Sequence, residues 1–164
     1  MLTIEDYARQ PREGRMQRLS RTADELAAAI GGQGDAVLSR RPDAKNWAAK
    51  EVVCHLRDTE ETLGERIGQI LGMDVDPTLG IADADRRAAE RQYLRNDARE
   101  ALAAFRARRA DTLDTFAKLA PAQWEKGGIH PVRGRMTIDD VLSFMAWHDD
   151  NHVDQLARAL LGRA

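Results

Sequence analysis

From Glu13 to Ile30 the apolar residues recur at spacings of three and four: Met16, Leu19, Ala23, Leu26 and Ile30. That period puts all five on one helix face, and the glycines at 31, 32 and 34 end the run. A second helix is predicted from about Trp47 to Gly72. Its stripe reads Val52, His55, Thr59 and Leu63, widened by Leu56, Ile67 and Ile70, and Trp47 is placed to staple the first turn. A third, capped by Asn96 or Asp97 and reaching about Leu119, turns Leu102, Phe105, Thr112, Leu113 and Phe116 inward, with Arg109 near the same stripe. The fourth runs from Met136 to Leu161. Val141, Met145, His148, His152, Leu156 and Ala159 share its inner face, and Thr137 with Asp140 forms a capping-box-like start.

The intervening segments read differently. Residues 1–12 look like an arm or short irregular lead, and residues 33–46 form a connection in which Pro42 excludes regular helix. Residues 73–95 form a long crossover, with turns at Asp76-Pro77 and Gly80 and a short helix expected between Asp83 and Tyr93. A crossover of this length carries function or bridges distant bundle ends. After Pro121 the run AQWEKGGIHPVRGR reads as a loop, and no strand of useful length, internal repeat or low-complexity tract is apparent. Four amphipathic helices bury their stripes most simply in one all-α domain, a four-helix bundle.

Composition narrows the function classes. The 164 residues, 43% hydrophobic and 32% charged, suit one soluble globular domain. With 25 basic against 27 acidic residues there is no electrostatic case for nucleic acid or an anionic membrane. No apolar run approaches the ~20 residues of a membrane span, and the acidic, h-region-free start does not read as a signal peptide. The one cysteine, Cys54, has no disulfide partner in the chain and belongs to no zinc-type cluster, so a reducing, cytoplasmic location is expected.

The chemistry lies in the histidines. His148 and His152 sit one turn apart, a rise of about 6 Å, in slots where the pattern calls for core aliphatics, and His55 occupies a similar slot on the second helix. Histidines in such positions either pack against the core or bind something. Neutral imidazoles in apolar stripes need partners for two ring nitrogens each. A metal ion would satisfy all three at once and, with three protein ligands, keep open positions. The motif His148-Asp149-Asp150-Asn151-His152 lacks the glutamate of HExxH, which argues against a zincin-type protease. His130, on the loop before the fourth helix, is a candidate to overhang the site, and Arg109 a candidate for an anionic substrate group, against the plainer readings of an exposed loop histidine and a helix-surface ion pair. Glu51 and Asp58 flank His55 at i−4 and i+3, where either could orient a ligand or face water. Cys54 points about 100° away from His55 around the helix and reads as packing.

Two motifs resemble a known family. The run Trp47-x-x-x-Glu51-Val52-x-x-His55-Leu56-x-Asp58-x-Glu60 is similar to the second-helix signature of the DinB/YfiT-like metalloprotein superfamily. Gly134-x-Met136-Thr137-x-x-x-Val141-Leu142, followed by His148-x-x-x-His152-x-x-Gln155-Leu156, resembles its fourth-helix signature. The resemblance implies up-down-down-up connectivity and one divalent metal ion, Zn, Ni or Fe, held by His55, His148 and His152. Characterised relatives include mycothiol-dependent maleylpyruvate isomerase and bacillithiol S-transferases. The resemblance therefore implies a metal-dependent thiol S-transferase or isomerase whose partners are a small-molecule thiol and an electrophilic substrate, with a homodimer as candidate assembly. A metal-dependent hydrolase and a non-enzymatic, stress-associated binding bundle are the alternatives.

Overall fold

Four long helices carry the architecture of the computed structural model, which describes residues 2–164. In chain order the elements are α1 (Ile4–Ala8), α2 (Arg12–Ile30), α3 (Asp35–Leu38), α4 (Ala49–Gly72), α5 (Ala84–Glu90), α6 (Ala98–Lys118), strands β1 (Gly127–His130) and β2 (Gly134–Thr137), and α7 (Ile138–Leu160). Short 3-10 turns cover Tyr93–Arg95 and Pro121–Glu125. Among the described residues no helix is long and apolar enough to cross a membrane.

Side-chain pairings set the direction of each long helix. Arg15 meets Asp139 and Thr22 meets Asp149, so α2 and α7 run parallel. Glu60 meets Arg109, and Gly64 lies opposite Thr112, so α4 and α6 also run parallel. Between these pairs the order reverses: Asp24 meets Arg106 while Leu19 meets Arg109, and His55 meets His148 while Leu63 shares a small cavity with Val141 and Phe144. The bundle is therefore up-down-down-up, and residues 73–97 must travel its length to start α6 beside α4.

The core has two apolar compartments. One gathers Leu26, Ile30, Val52, Leu56, Phe105 and Leu156; the other gathers Leu19, Leu63, Ile67, Phe116, Val141 and Met145. Each buried aliphatic or aromatic side chain contributes about 1.5–3 kcal/mol. Between the compartments every long helix supplies polar residues at one level: Thr22 from α2, His55 and Glu60 from α4, Arg109 and Thr112 from α6, and His148, Asp149 and His152 from α7. This polar layer contains the candidate chemistry.

Three segments depart from the sequence expectation. The connection over residues 33–46 contains α3, a four-residue helix short enough to finish at Leu38, before Pro42 interrupts the chain. The lead is not irregular. Thr3 and Asp6 form a reciprocal capping box that starts α1, and Tyr7 is buried with its hydroxyl donating to Asp150 of α7. A five-residue helix is too short to show periodicity, so the capping pair was its available signal. Within the loop after Pro121, β1 and β2 pair antiparallel, Gly127 opposite Thr137 and His130 opposite Gly134. Glycine-rich four-residue strands carry little β propensity, and tertiary contact supplies the rest. The amide N–H of Leu79 donates to the Ile129 carbonyl at 2.9 Å, and that of Ile129 to the Pro77 carbonyl at 2.8 Å, so the crossover docks on the hairpin. A Cβ at Gly128 would lie 2.9 Å from the buried Leu79 side chain, which explains glycine there.

Candidate metal centre

His55 rises from the second turn of α4. The helix begins at an N-cap Ala48 whose amide N–H donates to Glu51 Oε2 at 2.9 Å, and Arg41 clamps the same carboxylate. Trp47 is half-buried, and its ring packs on His55 at 4.9 Å between centroids, so this residue walls the histidine. His148 and His152 come from α7, whose start carries the Thr137–Asp140 capping box. The imidazole centroids lie 5.1 Å apart for His55 and His148, 4.4 Å for His55 and His152, and 4.3 Å for His148 and His152. One ligating nitrogen from each ring falls within 4.8 Å of the others. Phe144 covers His148 from one turn below, at 5.5 Å.

The three side chains suit a divalent cation. The Nε2 atoms of His55 and His148 are 3.0 Å apart, the separation of two ligands at right angles with ~2.1 Å metal–nitrogen bonds. His152 Nδ1 lies 2.7 Å from Gln155 Oε1. A carbonyl oxygen only accepts, so Nδ1 carries the proton and Nε2 keeps its lone pair, as an outer partner arranges for a metal ligand. Burial pushes His55 down to about 3, assisted by His152, and holds His148 well below the ordinary histidine range. Burial also lowers His152, against the Gln155 hydrogen bond. Neutral imidazoles are the ligating form. No Cys, Asp or Glu joins the three among the described residues, so a bound ion would keep open positions.

A pocket of about 580 Å³ lies over His55 and His148. One side is the crossover and the start of α5, residues Ile81 to Ala84; the other is the hairpin turn with His130, Val132 and Arg133. A separate cavity of about 410 Å³ between α4 and α6 touches none of the three histidines. His130 thus lines the pocket. Its Nδ1 accepts the amide N–H groups of Val132 and Arg133, each at 3.2 Å, which puts the ring proton on Nε2. Burial, with Arg66 and Arg133 nearby, lowers its pKa.

Arg109 does not line that pocket. Nor is it in a helix-surface ion pair: it is 4% exposed and divides its guanidinium between Glu60 Oε2 at 2.7 Å and Asp149 Oδ2 at 2.5 Å. Burial alone would lower its pKa, but the two carboxylates outweigh that and raise it. Glu51 caps the start of α4, and Asp58 is buried against Arg57, Arg91 and the Tyr93 hydroxyl, so neither orients His55 by a hydrogen bond. Cys54 is fully buried, with burial pushing its thiol up to about 11. Sequence reasoning assigned no role to Gln155, Phe144 or the pocket arginines Arg66, Arg87 and Arg133. Gln155, one turn beyond His152, had a visible spacing signal; the arginines had none, because three separate elements bring them together.

The sequence profile of the DinB superfamily matches residues 18–156, which include all three histidines. The chain belongs to the DinB superfamily. Its fold is also similar to that of YfiT from Bacillus subtilis, with a TM-score of 0.84 and 20% identity over 100% of this chain and 92% of the other. YfiT is described as a probable metal-dependent hydrolase with an unusual four-helix bundle topology. None of the curated proteins matches this chain. At that identity the likeness to YfiT speaks for the fold, while membership of the DinB superfamily rests on the profile.

Proposed function

We propose that this DinB-superfamily protein is a metal-dependent enzyme that joins a low-molecular-weight thiol to a small electrophile over the three histidines. The observation that carries the reading is the placement of His55 and His148 in the wall of a 580 Å³ pocket, so that an ion held there faces a substrate-sized space. A purely structural site is closed by a fourth protein ligand. A divalent ion at such a site supplies Lewis acidity that lowers the pKa of a thiol or water sharing it.

The rest is the work of the chain. His55, His148 and His152 would hold the ion as neutral imidazoles, with Gln155 fixing the orientation of His152. Trp47 and Phe144 pack against two of the rings and restrict their rotation. His130, protonated on Nε2, offers a hydrogen-bond donor from the pocket wall to charge developing on an electrophile. Thr59, with its hydroxyl 3.4 Å from His55 Nε2, adds a polar group at the floor. The similarity to YfiT favours a second reading in which water is the nucleophile and the reaction is hydrolysis.

The test uses full-length protein purified without chelator, its metal content measured by elemental analysis. Cysteine and N-acetylcysteine are then screened against an activated haloarene, with a nitrophenyl ester in parallel without thiol. Thiol-dependent consumption of the haloarene that vanishes on chelation and in His148→Ala supports the proposal. Metal-dependent ester hydrolysis without thiol transfer selects the hydrolase. Full metal occupancy with neither activity overturns both and leaves a binding bundle.

A further inference from the structure

Three guanidinium groups share the pocket above the histidines: Arg66 from α4, Arg87 from α5 and Arg133 from the hairpin turn. None forms an ion pair among the described residues; Arg21, Arg40, Arg95, Arg99 and Arg163 are also without one but do not line this pocket, while Arg12, Arg15, Arg57 and Arg109 sit against carboxylates. Among the described residues Asp83 is the one carboxylate in the pocket wall, and it is occupied in capping α5 through the Arg86 amide at 3.0 Å.

The arginines are held in place without being neutralised. Arg66 donates through Nη2 to the Gly80 carbonyl. Arg87 uses Nη1 alone, to the Asp58 carbonyl at 3.1 Å and Thr62 Oγ1 at 2.5 Å. Each therefore keeps further N–H groups for another acceptor. Arg133 lies over the Phe144 ring at 5.1 Å, and Phe144 in turn packs on His148, so this cation stands beside the metal-facing wall. Burial and the neighbouring charge of Arg87 both lower the pKa of Arg66, the direction expected for a cation that lacks its counter-ion. Clustering like charges in a partly desolvated cleft is unfavourable unless an anion completes it.

We propose that the pocket binds a small organic anion, its carboxylate or phosphate group held by Arg66, Arg87 and Arg133 and its reacting end directed at His55 and His148. This names the substrate class for the function proposed above and rests on that reading. Planar guanidinium forks match either oxyanion, whereas a neutral substrate would leave the positive charges uncompensated.

The test is isothermal titration of chelator-dialysed, full-length protein with benzoate, phenyl phosphate and benzamide in a buffer free of phosphate and carboxylate. At least one anion is expected to bind, with benzamide at least about tenfold weaker, and affinity should fall as salt is raised. Arg133→Gln, in an exposed turn, and Arg66→Gln should each weaken the anion about tenfold and leave benzamide unaffected. If Arg66→Gln does not fold, as judged by circular dichroism, Arg133→Gln decides. The two anions distinguish a carboxylate site from a phosphate site. Equal binding of benzamide, unchanged affinity in Arg133→Gln, or no binding of either anion overturns the proposal. Metal content of the undialysed protein separates the two readings. Anion binding by a protein that retains no metal leaves the pocket assignment standing and removes the metal-dependent function. Retained metal without anion binding does the reverse.

Discussion

Arg109 of α6 and Asp149 of α7 are joined by two hydrogen bonds, Nη1 to Oδ2 at 2.5 Å and Nη2 to Oδ1 at 3.2 Å. Asp149 is the residue after His148, so the same turn of α7 presents an imidazole to the pocket and a carboxylate to the bundle interior. Thr22 also donates to Asp149, and Arg109 holds Glu60 on α4 and the Leu19 carbonyl on α2. All four long helices are thus tied together at the level of the histidines.

Removing the cation should be costly. Arg109→Ala leaves Glu60 and Asp149 as buried, uncompensated carboxylates, and loss of one partner of a buried pair costs about 3–5 kcal/mol. Urea denaturation should show that loss. A change below about 1 kcal/mol would mean that water reaches the layer and screens it.

Metal and stability should be linked. An ion bound by His55 and His148 ties α4 to α7 in the folded state only, and a ligand at 100 times its Kd adds about 2.7 kcal/mol. Each kcal/mol is worth roughly 2–8 °C in Tm for a domain of this size. Chelation should lower Tm by several degrees, metal should restore it, and His152→Ala should lose the response. Identical melting curves for loaded and stripped protein, with occupancy verified by elemental analysis, would falsify the linkage.

Acid should destabilise the chain partly through Asp58. Burial tends to raise its pKa, but hydrogen bonds from Arg57 and Tyr93 and the charges of Arg57 and Arg91 outweigh burial and hold it below the ordinary carboxylate value. A carboxyl depressed in the folded state contributes stability that is present above its unfolded pKa and lost as pH falls through the folded one. In Asp58→Asn the stability-versus-pH curve should therefore slope less steeply below about pH 4. An unchanged acid limb would count against this assignment.

The hairpin should tolerate no side chain at its first residue. A Cβ on Gly127 would lie 2.9 Å from the Met136 carbonyl oxygen, a backbone atom of the partner strand that no rotamer change can move. Gly127→Ala should cost about 1–3 kcal/mol. Limited proteolysis should show cleavage in the crossover sooner than in the parent, because Pro77 and Leu79 are hydrogen-bonded to Ile129 in β1. A cleavage pattern identical to the parent's would show that the docking does not depend on this close approach.

Much was legible in the chain itself. Helical periodicity located the four long helices, since a stripe that must be buried repeats every three or four residues whatever it packs against. The same periodicity marked His55, His148 and His152, because imidazoles in aliphatic slots stand out locally. Thr137 and Asp140 announced the start of α7 through contacts only three residues apart. The tertiary structure decided everything that joins distant segments. Arg109 lay near an apolar stripe in the sequence, but its burial depends on Glu60 and Asp149 arriving from two other helices. The hairpin exists because the crossover hydrogen-bonds to Ile129, and neither segment has the propensity to announce it. Nothing in the local sequence singles out Arg66, Arg87 or Arg133 among the chain's many arginines. Only the packing of α4, α5 and the hairpin turn sets them around one pocket, because a charge is paired or unpaired according to its neighbours in space.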